Sequence, residues 1–149
     1  MINLKSKYKI LKEGKLLIVA HIGSLNLNSM LDFFESLSSN PTFSHKFDHI
    51  VDLNKVTFDL TSKDISKYVE HLENNSKIFG EKKIALITNS PNQVVFSTLF
   101  KEAQEQLQPL QSVQIFSTLE SAYNFIDKKN ITFNQVSQTV KQLKEELIA

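Results

Sequence analysis

The sequence predicts an α/β domain: a five-stranded, mostly parallel sheet opened by an antiparallel hairpin, with helices on both faces and an extra C-terminal helix. Three observations lead there. Tyr8–Leu11 and Leu16–Ile22 are apolar runs separated only by the short turn Glu13-Gly14-Lys15, which reads as a hairpin. From there to Phe116, short apolar runs alternate with longer segments whose apolar residues recur at helical spacing, the pattern of parallel strands joined by right-handed helical crossovers. Finally, no repeat, low-complexity tract or linker divides the 149 residues, a length that suits one domain. The expected domain spans 1–149, with a core over 8–128 and an added helix over 131–149.

Each element has its own signal. Gly14 is free to take positive φ in the hairpin turn. Leu16–Ile22 is apolar throughout except for His21, as a strand buried on both faces would be. Gly23-Ser24 is expected to break that strand, and Asn26 or Asn28 to cap a helix whose stripe is Leu27, Met30, Leu31, Phe34 and Leu37. Ser38-Ser39-Asn40-Pro41 ends it, and the third strand is His49–Leu53. A polar loop over Asn54–Asp59 leads to a helix starting at Thr61 or Ser62. Thr61 and Asp64 have the spacing of a capping box, and Ile65, Tyr68, Val69 and Leu72 share one face. Asn74, Asn75 and Gly80 are stop signals.

The fourth strand is Ile84–Thr88. Ser90 or Asn92 caps the next helix, with Pro91 in its first turn and Phe96, Leu99, Phe100, Ala103 and Leu107 as its inward stripe. Val113–Phe116 is the fifth strand. Ser117 or Thr118 caps a helix with Leu119, Ala122, Tyr123 and Ile126 inward, ended by Asn130. The last helix, about 134–147, carries the narrow stripe Val136, Val140, Leu143 and Leu147. It is free to pack on its own domain or on a second copy of the chain, so a monomer and a homodimer are both allowed.

Composition excludes several kinds of chemistry. With 17 Lys, no Arg and 16 acidic residues, the formal net charge is +1. That balance argues against nucleic acid or an anionic membrane as an obligatory partner, since both demand a basic excess. Without Arg there is no planar fork for bidentate phosphate or carboxylate recognition. Without Cys there are no disulfides, thiolate metal sites or Cys nucleophiles. The first residues lack the apolar run of a secretion signal, and Leu16–Ala20 is far too short to span a membrane, so a soluble cytoplasmic protein is expected.

Catalytic constellations are equally hard to assemble. No Gly-x-Ser-x-Gly elbow occurs, and Gly14, Gly23 and Gly80 form no phosphate-cradling loop. His21 and His49, on neighbouring strands, could approach each other, but a third metal ligand at suitable spacing is missing. A Mg²⁺-dependent phosphoacceptor role for Asp52 would need an acidic pair after Leu16–Ile22, where Gly23-Ser24-Leu25-Asn26 stands. Asp52 is therefore expected to accept hydrogen bonds from loop backbone. Thr61 and Ser62 read either as an N-cap or as a phosphorylation site whose added charge the helix N-terminus would stabilise. Phe33, Phe58 and Phe125 fit the inward stripes least well and are candidates for a partner surface or for contact with the terminal helix.

Asp52-Leu53-Asn54-Lys55-Val56-Thr57-Phe58-Asp59-Leu60-Thr61-Ser62 resembles the STAS-like (SpoIIAA-like) family, whose best-known members are bacterial anti-sigma-factor antagonists. The family pattern is Asp-Leu-Ser, a spacer, Val, a short loop, then Asp-Ser-Ser-Gly opening a helix. Ser62 falls where antagonists carry their phosphorylated Ser, whereas Leu60 replaces the motif's Asp and Lys63 its Gly. Val113-Gln114-Ile115-Phe116 and Ala122-Tyr123-Asn124-Phe125-Ile126 are similar to the closing strand and helix of a divergent bacterial branch. The resemblance covers Tyr8 to about Asp127 and implies a SpoIIAA-like fold. It also implies a non-enzymatic regulatory or protein-interaction module without cofactor or metal, switched by phosphorylation at a helix N-terminus. Asp52, Asn54, Thr57, Thr61 and Ser62 are its candidate binding or switch residues, and another protein its expected partner. The alternative is a protein that binds a small molecule or lipid, its pocket between the sheet and the Phe-bearing helices.

Overall fold

The computed structural model describes residues 2–74 and 81–149. Its strands are β1 (Lys5–Leu11), β2 (Leu16–Leu25), β3 (Asp48–Phe58), β4 (Lys82–Ile87) and β5 (Gln111–Phe116). Its helices are α1 (Leu27–Ser38), α2 (Ser62–Asn74), α3 (Pro91–Leu107), α4 (Leu119–Ile126) and α5 (Phe133–Ile148). The strands form one sheet in sequential order, antiparallel between β1 and β2 and parallel from β2 to β5. The expected α/β architecture is therefore present.

When strands follow one another in one direction, right-handed crossovers deliver every connecting helix to the same face. Accordingly α1, α2 and α3 cover Leu17, Val19, Leu53, Ile84, Leu86 and Val113. The other face, carrying Leu16, Ile18, Ala20, Ile50, Ala85 and Ile87, is covered by α4 and α5. The terminal helix buries Val136, Val140, Leu143 and Leu147, the stripe its sequence predicts, and lies over β1 and β2. Lys7–Glu146 joins it to β1 at 3.2 Å on the exposed side.

Helix starts follow the capping chemistry. Asn26 and Ser29 form a reciprocal capping box on α1, Ser90 caps α3 ahead of Pro91, and Thr118 caps α4. On α2, Asp64 N–H donates to Thr61 Oγ1 at 3.1 Å and Thr61 N–H donates to Asp64 Oδ2 at 3.0 Å. Asn74 is the last described residue of that helix, and the stop signals at Asn75 and Gly80 lie outside the described residues. α4 ends at Ile126, with Asp127 in the left-handed region (φ 56°), not at Asn130.

Four further expectations are corrected, and a fifth at the hairpin turn. Gly23-Ser24 does not break β2: the register shifts by one residue between Ala20 and Ile22, and the strand then continues to Leu25. Gly23 takes φ 100° there, and a Cβ on it would lie 2.5 Å from the carbonyl oxygen of Asn3. The loop expected over Asn54–Asp59 is mostly strand, since Lys55–Phe58 pair with Ile22–Leu25. Its signal is the alternation of buried Val56 with exposed Lys55 and Thr57, a period of two.

Third, the fully buried face of α3 is polar. Gln93, Ser97 and Gln104 point at the sheet, while Phe96, Leu99, Phe100, Ala103 and Leu107 are only half-buried. Gln93 explains its own burial: Nε2 donates to the carbonyls of Asn54 and Val56, and Oε1 accepts from Asn89 N–H. Fourth, Phe33, Phe58 and Phe125 do not form a surface. Phe33 packs edge-on to His21 and Tyr8, Phe58 stacks on Phe96, and Phe125 packs on Phe116.

The hairpin turn is corrected in the same way. Lys15, not Gly14, has positive φ (51°). Gly14 is needed for space: a Cβ there would lie 1.9 Å from Ile131 Cδ1 and 2.7 Å from Cγ1. Gly14→Ala should therefore cost about 1–3 kcal/mol by overpacking. Shortening the neighbour with Ile131→Val should recover part of it, as urea denaturation of both variants would measure.

Candidate functional site

The five residues singled out in the sequence do not converge. Asp52 is 3% exposed and faces α5, where Oδ2 pairs with Lys144 Nζ at 2.7 Å. Its Oδ1 accepts Asn54 N–H at 3.0 Å, the backbone bond expected of it, made within the strand. Asn54 Oδ1 is buried without a partner on the same side. Together with Ser117, Lys141, Lys144 and Glu145, these two residues border an open polar hollow of about 350 Å³ beside α5. Thr57 is exposed on the β3 extension, Thr61 is occupied as a cap, and Ser62 is exposed in the first turn of α2.

A second space lies on the opposite face. Leu37 of α1 is fully buried against Leu17 and Val19 of the sheet, and Met30, Phe33 and Phe34 of the same helix are half-buried. Between the sheet and the helices remains a cavity of about 150 Å³. Its floor is Leu17 and Val19 of β2, Val51 and Leu53 of β3, and Ile84 and Leu86 of β4. Its roof is the aromatic side of α1, with Ile65, Tyr68 and Leu72 of α2 and Phe96 and Phe100 of α3.

Polar groups enter this apolar space at two ends. His21 lies towards the end of the floor where β2 and β3 extend, its Nδ1 at 2.6 Å from Ser6 Oγ. His49 is not its neighbour: Leu17 pairs with His49 and Ala20 with Asp52, so the two rings sit about four residues apart, roughly 13 Å along the strands. Burial lowers the His21 pKa to about 4. His49 is held well below the usual histidine range, chiefly by burial and then by the nearby Lys82 charge.

The second polar end gathers His49, Lys82 and Gln104, while Ser97 lines the space about two helical turns from Gln104. Lys82 pairs in register with Gln111, and His49 with Ile84 two positions further along β4, so His49, Lys82 and Gln111 start three adjacent strands. Gln104 reaches down from α3 and donates through Nε2 to Gln111 Oε1. His49 Nε2, Ser97 Oγ and Gln104 Oε1 are buried without hydrogen-bond partners. Lys82 is 3% exposed and, among the described residues, forms no ion pair or hydrogen bond through its ammonium. Burial lowers its pKa to about 8, with Asp48 opposing that shift. Asp48 itself is engaged elsewhere, by Lys128 at 2.8 Å and Lys83 N–H at 2.7 Å.

Periodicity could have found this cluster. Lys82 shares the parity of Ile84 and Leu86 and therefore points to their face. Gln93, Ser97, Phe100 and Gln104 are spaced four, three and four residues apart, one face of a helix.

No protein-family model matches the sequence, and no curated protein matches it. Among solved structures, the chain is similar to an uncharacterized protein of the DUF3478 family with a SpoIIAA-like fold from Shewanella loihica PV-4. The TM-score is 0.53 at 12% identity, over 83% of this chain and 94% of that one. Identity that low speaks for the fold alone: the chain has a SpoIIAA-like fold, as the resemblance implied. No helix among the described residues is long and apolar enough to cross a membrane.

Because His21 is neutral in the fold and takes its proton only near pH 4, the unfolded chain binds more protons between pH 6.5 and 4. Stability should fall as pH drops through that window, by a His21 contribution of roughly 3 kcal/mol at most. His21→Asn should flatten the slope in thermal melts taken across those pH values.

Proposed function

We propose that this chain is a non-catalytic binding module whose ligand, a small apolar molecule, occupies the space between the sheet and α1–α3. What carries the reading is the cavity itself, together with the unpartnered polar atoms that open into it. Buried polar groups are nearly always satisfied, and leaving one without a partner costs about 1–3 kcal/mol. Several lining one cavity are accounted for by a ligand that completes them.

Topology supports the same location. In open α/β sheets, ligands gather where the strand order reverses, and a sheet running β1 to β5 in sequence has no reversal. The face under the crossover helices is then the natural place for a pocket. A hydrocarbon-lined cavity of about 150 Å³ is large enough for a ring the size of benzene. The ligand would touch the underside of α2, whose first turn is exposed at Thr61 and Ser62, so occupancy is suited to change how that surface meets a partner protein.

The regulatory reading retains one specific support. Thr61 is committed to its capping box, whereas Ser62 is exposed in the same turn, close to backbone N–H groups that favour an added anion.

Ser97→Leu fills the cavity and removes an unpartnered hydroxyl. It should raise stability by about 1–2 kcal/mol and abolish binding of hexan-1-ol followed by NMR titration. Destabilisation together with unchanged hexanol binding would sink the cavity reading. For the regulatory reading, mass spectrometry of protein from its own cells should show a phosphate increment on Ser62 and not on Thr61; bare protein throughout growth would count against the switch.

A further inference from the structure

The inner end of the cavity has a hydrogen-bonding sign. Lys82 brings three N–H donors, and His49 Nε2 is a donor in one tautomer. Against these stands one unpartnered acceptor on the protein side, Gln104 Oε1. One ammonium proton can go to Gln104, which leaves the end with surplus donors and one positive charge. Asp48, the carboxylate that acts electrostatically on Lys82, is occupied by Lys128 and the Lys83 amide. His49 is neutral, as its environment keeps it, so it adds no second charge.

We propose that the cavity binds a monocarboxylate with an apolar body of about six carbons, its carboxylate received by Lys82 and His49 and its body lying on Leu17, Val51 and Ile84. The assignment deepens the cavity reading and rests on it. A carboxylate offers two oxygens and about four acceptor positions, enough for the surplus donors. Its single negative charge balances the single ammonium, as charges withdrawn from water require. An alcohol would fill the same volume but leave the ammonium unbalanced, and an amine would place two cations together. A dianionic head such as a phosphate monoester would exceed the one charge available. Arg is absent from the chain, so recognition falls to a point charge with neutral donors around it.

The test compares three probes of equal length on the full chain at pH 7: hexanoate, hexan-1-ol and hexylamine, titrated by NMR with amide shifts assigned. Hexanoate should bind at least about tenfold more tightly than hexan-1-ol, with hexylamine weakest, as a charge-assisted contact predicts. Its largest shifts should fall at His49, Lys82 and Gln104. Lys82→Met should reduce hexanoate affinity by about tenfold or more and leave hexan-1-ol within about threefold. Equal affinities for hexanoate and hexan-1-ol would overturn carboxylate recognition while leaving the cavity reading intact, and so would a Lys82→Met chain that keeps its hexanoate preference. If none of the three probes shifts a cavity residue, the cavity reading falls as well. The comparison on the unaltered chain needs no variant to fold.

Discussion

The sequential strand order is the constraint from which the rest of this structure follows. Each step from β2 to β5 moves the same way across the sheet, so each right-handed crossover returns its helix to one side. That side receives α1, α2 and α3 without further provision. The other side would show Leu16, Ile18, Ala20, Ile50, Ala85 and Ile87 to water if the chain stopped at Phe116. Burying the Leu and Ile side chains among them contributes roughly 1.5–3 kcal/mol each, which makes α4 and α5 part of the domain rather than an attachment to it.

Both faces pair some of their buried polar groups and leave others open, Asn54 Oδ1 among them under α5. Under α5, Asp52 has a full complement: Lys144 on one oxygen and the Asn54 amide on the other. Removing one member of such a pair would strand the other charge, so the contact ties α5 to the centre of β3 and gives its docking a fixed register. Under α3, Gln93 is satisfied at both ends of its amide, but Ser97 Oγ and Gln104 Oε1, about one and three turns further on, are not. The same helix thus holds the β3 extension with one buried amide and leaves the next polar groups open.

How far the sequence disclosed this depends on which rule each segment obeys. Strands and helices that follow hydrophobic periodicity were legible: the α5 stripe matches the structure, and the caps at Asn26, Thr61, Ser90 and Thr118 are each one of the two residues expected at that helix start. Segments that break the hydrophobic rule were not. β2 runs through Gly23-Ser24 because a register shift and a positive-φ glycine let it, and neither is visible in an apolar pattern. The β3 extension was hidden by Lys55, Thr57 and Asp59, polar residues on the exposed side of a strand. The buried face of α3 was misread because aromatic residues draw attention to the flanking stripe. For the site, the sequence placed a pocket between the sheet and the Phe-bearing helices as an alternative. It passed over Lys82, Ser97 and Gln104, because buried lysines and glutamines are rare enough to be assigned to solvent by default.

The dependence of β2 on α5 also shapes how the chain assembles. Neighbouring strands are neighbours in sequence, so the sheet can grow by adding one crossover at a time, each closing a short loop. The contact between α5 and β1–β2 is different: it joins residues well over a hundred positions apart. During synthesis, where the N-terminal part forms first, the hairpin would wait with one apolar face open until Phe133–Ile148 emerges. The α5 helix is therefore the closing step of assembly, and the interval before it docks is when this protein is most exposed to sticking to other chains.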